Sequence, residues 1–194
     1  MPAELDDAAF RAALGRFASG VTVVSTVYEG VDHAITASAF TSVSLDPPRV
    51  LVCVDTHNRF HAPVMATGSW GVSILAGTAQ DAASWLATRG RDITHQLDTV
   101  PHHRGAVTRA ALLDEAIGWL ECETWRSYDG ADHTIVVGTV LAAAVAPGRD
   151  DPLLYYRSHY GELIRLPVSE KGPDPLPAEP ERPVLEPGTD TGGA

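Results

Sequence analysis

The sequence predicts a mainly β (α+β) domain, a barrel or sandwich of many strands flanked by a few short helices. β-Branched and aliphatic runs recur at 21–28, 49–55, 69–76, 133–146 and 153–157, and such runs bounded by turn residues are strands. Helical spacing is confined to short stretches near 7–17, 60–67 and 80–90. Those are too few to alternate with the strands, as a doubly wound parallel sheet requires. The 194 residues are 44% hydrophobic and 20% charged, which supplies one core.

The elements follow in chain order. Asp6 or Asp7 caps a first amphipathic helix, along which Phe10, Leu14 and Phe17 recur at spacings of four and three, and Gly20 ends it. Residues 21–28 and 33–40 form a hairpin around the turn Glu29-Gly30-Val31-Asp32. Asp46-Pro47-Pro48 is a stop, after which 49–55 is a buried strand. A helical turn at 60–67, a strand at 69–76 and a helix at 80–90 closed by Gly90 come next. A turn and strand occupy 111–129, the longest strand is 133–146, and 153–157 is the last. No internal repeat is present; the strands differ too much in length and spacing for blades or solenoid turns.

Composition changes after Leu166. The last 28 residues hold seven of the 14 prolines and carry −4 from six acids and two bases. That composition builds no core, so residues 1–166 are read as the domain and 167–194 as a Pro-rich acidic tail, disordered or extended. The whole chain is at −11, which disfavours nucleic acid and anionic membrane as partners. No apolar run reaches the length of a bilayer span, and the acidic N-terminus has no apolar signal core, so the expectation is a cytoplasmic protein. Cys53 and Cys122 both lie in apolar segments and are read as reduced, packed thiols.

Neither a G-x-G-x-x-G after a strand nor a P-loop is present. The richest hydroxyl cluster is Thr36, Ser38, Thr41, Ser42 and Ser44, interleaved with the small residues Ala37 and Ala39 and with Val43. Small residues admit a flat ring close to the backbone, and hydroxyls with backbone N–H groups bind phosphate without much charge. An ordinary Thr/Ser-rich strand fits the same pattern. Asn58 and Arg59 can donate to an anion or simply belong to a solvated loop. His57 and His61 have the spacing of helical metal ligands but no third ligand nearby, so no metal is expected. His133, after Asp132 at the mouth of the longest strand, suits positioning of a carboxamide or carbonyl, or only a turn. His102 and His103 read as surface residues, and Tyr155, Tyr156 and Tyr160 as core or interface. With G-x-S-x-G absent and neither cysteine beside a base, hydrolysis and acyl transfer are disfavoured.

Together, FRAALGRFASGVTVVST, ITASAFTSVSLDPPRVLVCVD, NRFH, GSWGVSILA, LECETW, DHTIVVGTVLA and PLLYYRSHYGEL resemble, in order and spacing, the flavin reductase-like family. These are FMN-binding split β-barrels, the reductase components of two-component flavin-dependent monooxygenases, and the resemblance spans about residues 8–166. It implies a Greek-key homodimer that binds FMN, or FAD, and passes a hydride from NADH or NADPH to flavin N5. Reduced flavin then goes to a separate monooxygenase. It places Thr36, Ala37, Ser38, Ala39, Thr41, Ser42, Val43 and Ser44 along the flavin ring and ribityl phosphate, with Asn58 and Arg59 on the phosphate side. Asp132, His133 and Tyr160 border the nicotinamide, His133 being the catalytic-site residue that orients it. The sequence's lack of an evident nucleophile or triad agrees with hydride transfer, which needs stacking and distance more than an acid or a nucleophile. The sequence departs from the family in Ala131, where glycine is common before the Asp-His pair, and in the tail. With only Arg89, Arg91 and Arg104 to meet a 2'-phosphate, NADH is favoured. The alternatives are a flavoprotein that retains its flavin to act on an organic substrate, and a flavin- or haem-binding carrier.

Overall fold

The computed structural model describes residues 6–148 and 151–164; the predicted tail lies outside them. The elements are α1 (Asp7–Leu14), β1 (Ser19–Gly20), β2 (Thr22–Tyr28), β3 (Val31–Ala37), β4 (Phe40–Leu45), β5 (Pro48–Asp55), α2 (His61–Thr67), β6 (Ser69–Leu75) and α3 (Gln80–Ala87). There follow β7 (His102–Arg104), β8 (Ala111–Leu113), β9 (Ala116–Gly130), β10 (His133–Val145), β11 (Leu154–Tyr156) and β12 (His159–Gly161).

Asp6 caps α1 by accepting from the Ala8 N–H at 3.0 Å, the role expected of a short carboxylate before the first turn. The helix stops at Gly15, not Gly20, and Gly20 lies in β1. The β2–β3 hairpin turns on Glu29 and Gly30, both at positive φ (51° and 77°), the conformation whose twist matches that of the flanking strands. The predicted strand 33–40 breaks at Ser38-Ala39, and Phe40 opens a new strand, β4. Asp46-Pro47 is therefore a tight turn between β4 and β5, and Pro48 is the first residue of β5. His102 and His103 lie in β7, the first half-buried and the second exposed, and α3 ends at Ala87, before Gly90.

Seven antiparallel strands run in the order β3-β2-β6-β9-β10-β5-β4. β3 and β4, its two edges, are joined by Ser38-Ala39, and no ladder closes them among the described residues; the barrel is split there. The connection from β5 through α2 crosses the barrel to β6. Two cores result. Val24, Ile35, Val50, Val52, Val54, Trp70, Val72 and Val136 fill the interior, which α2 plugs with Phe60 and Val64. On the other face of β2, β3 and β6, Val23, Ala34 and Leu75 pack against Ala83 and Leu86 of α3 and against Ala111 and Leu113 of β8. Val21 through Thr26 are all buried, which is why β2 reads as a continuous β-branched run. Its hydroxyls are satisfied: Thr22 Oγ1 donates to the Ala37 carbonyl at 2.8 Å and Ser25 Oγ to the Ala111 carbonyl at 2.6 Å. Gly138 leaves room for Trp70, since a Cβ there would meet Trp70 Cζ2 at 2.5 Å.

Candidate active site

A cleft of about 290 Å³ opens beside edge strand β3. Its walls are His33 to Thr36, the β5–α2 loop from Asp55 to Phe60, and the C-terminal end of α3 with the loop after it. The β5–α2 loop is built by its own polar side chains. Asp55 Oδ1 accepts from the His57 N–H at 2.8 Å and Asn58 Oδ1 from the Phe60 N–H at 3.0 Å, the local bonds that make Asx residues turn formers. With its oxygen engaged, Asn58 keeps its amide NH2 as a donor. Arg59 Nη1 donates to the Arg91 carbonyl at 2.6 Å, and its other guanidinium N–H groups have no acceptor among the described residues. Thr36 Oγ1 donates to the Ala83 carbonyl at 2.7 Å, so this hydroxyl offers a ligand lone pairs. Burial, opposed by Asp32 and aided by the charge of Arg59, holds the His33 imidazole below its ordinary pKa and neutral at pH 7.

The cleft thus brings together Thr36, Asn58 and Arg59 of the predicted set. Ala37 turns into the barrel interior, Ser38 and Ala39 bridge the two edges, and Thr41, Ser42 and Val43 are exposed on β4 with Ser44 half-buried. Asp132 and His133 stand next door, in the β9–β10 turn. His133 pairs across the ladder with Asp55, and the Thr56 N–H donates to the Asp132 carbonyl at 3.0 Å. Asp132 Oδ1 lies 2.9 Å from His133 Nδ1. That bond, then the imidazole's charge, holds the Asp132 carboxyl below the usual range, while the backbone N–H of His57 is the main cause of the same shift at Asp55. Ala131, with φ +69°, sits in the left-handed region just before this pair. Tyr160 is elsewhere: its ring lies tilted at 60° to that of Tyr155, centroids 5.5 Å apart, against the second core, and it is not among the cleft's lining residues.

His57 and His61 have separate partners, Asp55 for the first and Thr134 Oγ1, at 2.8 Å, for the second. Burial, then the charge of Glu121, pushes the Cys122 thiol up to about 12, and burial raises Cys53 as well, so neither is an activated nucleophile. Reading along the chain missed Gln96 and His33. Their part in the cleft comes from contacts distant in sequence, and only the pair Arg89 and Arg91 left a signal, as a cluster of bases.

The model of the flavin reductase like domain matches residues 14–163. The chain belongs to this family. Within the flavin reductase-like family it is 36% identical over 160 residues, 82% of this chain and 83% of the relative, to the reductase component of 4-nitrophenol 4-monooxygenase/4-nitrocatechol 2-monooxygenase from Rhodococcus opacus. It is 40% identical over 157 residues, 78% of this chain and 86% of the relative, to an NADH-dependent FAD reductase from Streptomyces globisporus. Among solved structures, BorF, the flavin reductase component of a bacterial two-component tryptophan halogenase, aligns at 41% identity and TM-score 0.77, over 83% of this chain and all of BorF. The Streptomyces globisporus NADH:FAD oxidoreductase SgcE6, in complex with NAD and FAD fragments, aligns at 35% identity and TM-score 0.76, over 87% of this chain and all of SgcE6. The flavin reductase-like assignment accounts for the split barrel.

Proposed function

We propose that the chain is an NADH-dependent flavin reductase that supplies reduced FMN or FAD to a separate monooxygenase in the cytoplasm. The observation that carries the reading is the cleft itself, in which Asn58 and Arg59 hold unused donors beside Thr36 on the split edge of a flavin reductase-like barrel. Those donors fit a phosphate. At about 290 Å³ the cleft is at the small end of ligand pockets, so it would hold the phosphate end of a flavin, with the Thr36–Ser44 segment beside it for the ring. The flavin, when bound, supplies the hydride acceptor and the nicotinamide the donor. What the chain contributes is placement. The small, exposed Ala39 lets a ring approach the backbone, and N–H groups of this segment are donors for the charge that a reduced ring carries. Asp132 accepts from His133 Nδ1, which fixes the imidazole and leaves Nε2 free to hold a nicotinamide carboxamide.

A second copy of the chain belongs to this reading. The helices α2 and α3 pack on β2, β3 and β6, while the outer face of β4, β5 and β10 has no helix over it among the described residues. Leu51, Cys53 and Ile135 are half-buried there, Trp125 and Tyr128 of β9 are exposed at its border, and Arg49 Nε is out of water with no acceptor. An apolar face rimmed by arginine and tryptophan suits a two-fold interface.

The test is anaerobic stopped-flow absorbance of the full chain with excess FMN or FAD, mixed with NADH. Bleaching of many flavin equivalents per chain is expected; bleaching of one equivalent or none overturns the reductase role. His133→Ala lowers kcat/KM for NADH by about tenfold, or ~1.4 kcal/mol, and leaves flavin affinity unchanged; wild-type efficiency with NADH removes His133 from the nicotinamide site.

A further inference from the structure

Arg91, on the loop after α3, is a cation of the cleft that the reading above does not use. It is half-buried, and its guanidinium spans three neutral acceptors: the carbonyl of Ala34 on edge strand β3, the carbonyl of Thr88 at 2.7 Å and Oε1 of Gln96 at 3.2 Å. Gln96 is buried in turn and donates to the Asp32 carbonyl, so the loop is tied to β3 at two points. The backbone carbonyl of Arg91 receives Arg59 Nη1. One residue therefore sets the wall of the cleft and the place of the Arg59 guanidinium.

The charges there are not compensated. Arg104 is neutralised by a two-pronged pairing with Asp32, but among the described residues no carboxylate forms an ion pair with Arg59, Arg89 or Arg91. Burial, then repulsion from Arg59, holds the Arg91 guanidinium below its usual pKa, the cost of keeping two like charges together partly out of water. In a chain at −11, cations gathered in one concave place focus attraction on an anion that enters it.

We infer that Arg91 is a positioning residue for phosphate capture: it holds Arg59 at the cleft, so that phosphorylated flavins bind in preference to riboflavin. The inference rests on the flavin-reductase reading and names a residue and a selectivity that the reading leaves open.

Dissociation constants of the full chain for riboflavin, FMN and FAD, measured by flavin fluorescence, test it. Wild type binds FMN and FAD about tenfold or more tighter than riboflavin, a ratio within reach of charge-assisted hydrogen bonds. Arg91→Gln loses about tenfold for FMN and FAD and less than about twofold for riboflavin. Arg91→Lys recovers little, because an ammonium cannot span the three acceptors. In an Arg59→Gln background, Arg91→Gln adds less than about twofold, since its action passes through Arg59. Equal losses for all three flavins make Arg91 a wall residue only and overturn the inference, as do fully additive losses in the double variant. Should Arg91→Gln not fold, Arg59→Gln, which leaves the Arg91 guanidinium bonds in place, carries the test, and a loss that fails to separate FMN from riboflavin overturns it. A wild type that binds riboflavin as tightly as FMN sinks the inference and spares the reductase reading, whereas one that binds no flavin sinks both.

Discussion

The two sides of the barrel are finished differently. Along β2, β3 and β6 the sheet is covered twice, by the interior core on one face and by α3 and β8 on the other. Along β4, β5 and β10 no helix covers the outer face among the described residues. On the first side the apolar residues are buried within the chain; on the second Leu51, Cys53 and Ile135 remain half-buried, the face proposed above for a second copy. The cleft lies at β3, where the doubly covered side ends in an edge, so its β3 wall rests on a rigid layer while β4, beyond the split, is exposed. A binding edge backed by two packed layers gains precision without a lid.

Truncations on the two sides sharpen this contrast. Leu75 is fully buried on the doubly covered side, and Leu75→Ala costs about 2–5 kcal/mol in denaturant unfolding. Leu51→Ala on the open face costs less than about 1 kcal/mol in a monomeric protein but weakens self-association, read by sedimentation. Similar losses at both positions in a chain shown to be monomeric break the comparison.

A smaller effect lies next to the doubly covered side, at Glu121 of β9, which pairs with Gly71 of β6 and is 5% exposed. Its Oε2 accepts from the N–H groups of Val107 and Thr108 and from Thr108 Oγ1. Burial pushes this carboxyl up, but those hydrogen bonds together outweigh it and leave the pKa below the usual range. Because the folded value is lowered, the stabilisation is complete above the unfolded carboxyl's pKa, about 4.3, and is lost as pH falls through the folded value. Glu121→Ala costs about 2 kcal/mol at pH 7 and the difference from wild type shrinks below about pH 4; a difference constant from pH 7 to 3 contradicts the assignment. The smallest change is Ala131→Gly. Relief of the left-handed φ outweighs the added chain entropy, and thermal unfolding shows a gain of about 0.5–1 kcal/mol.

Most of the barrel was legible in the sequence because its strands announce themselves. Six of the eight residues from Val21 to Tyr28 are β-branched, and Asp46-Pro47-Pro48 marks a reversal. Where signals were weaker, the boundaries moved. The first helix stops at Gly15 because the chain must turn toward β1, and β7 and β8, three residues each, are too short for any periodicity to reveal. Of the candidate site, Asn58 and Arg59, which line the cleft, and the proposed Asp132-His133 pair beside it were legible because they stand in contiguous motifs. Arg91 and Gln96 could not be assigned their bonds, since these reach carbonyls 57 and 64 residues away in the chain. Backbone acceptors carry no side-chain signature to betray such a contact.

The double burial of β2 also sets a timescale. Its amides lie between two cores and pair with strands on both sides, so their exchange with solvent deuterium waits for opening of the whole domain. Amides on the exposed edge strand β4 exchange through local fraying. The protein therefore carries a built-in gradient of protection across a single sheet, slowest at β2 and fastest at β4.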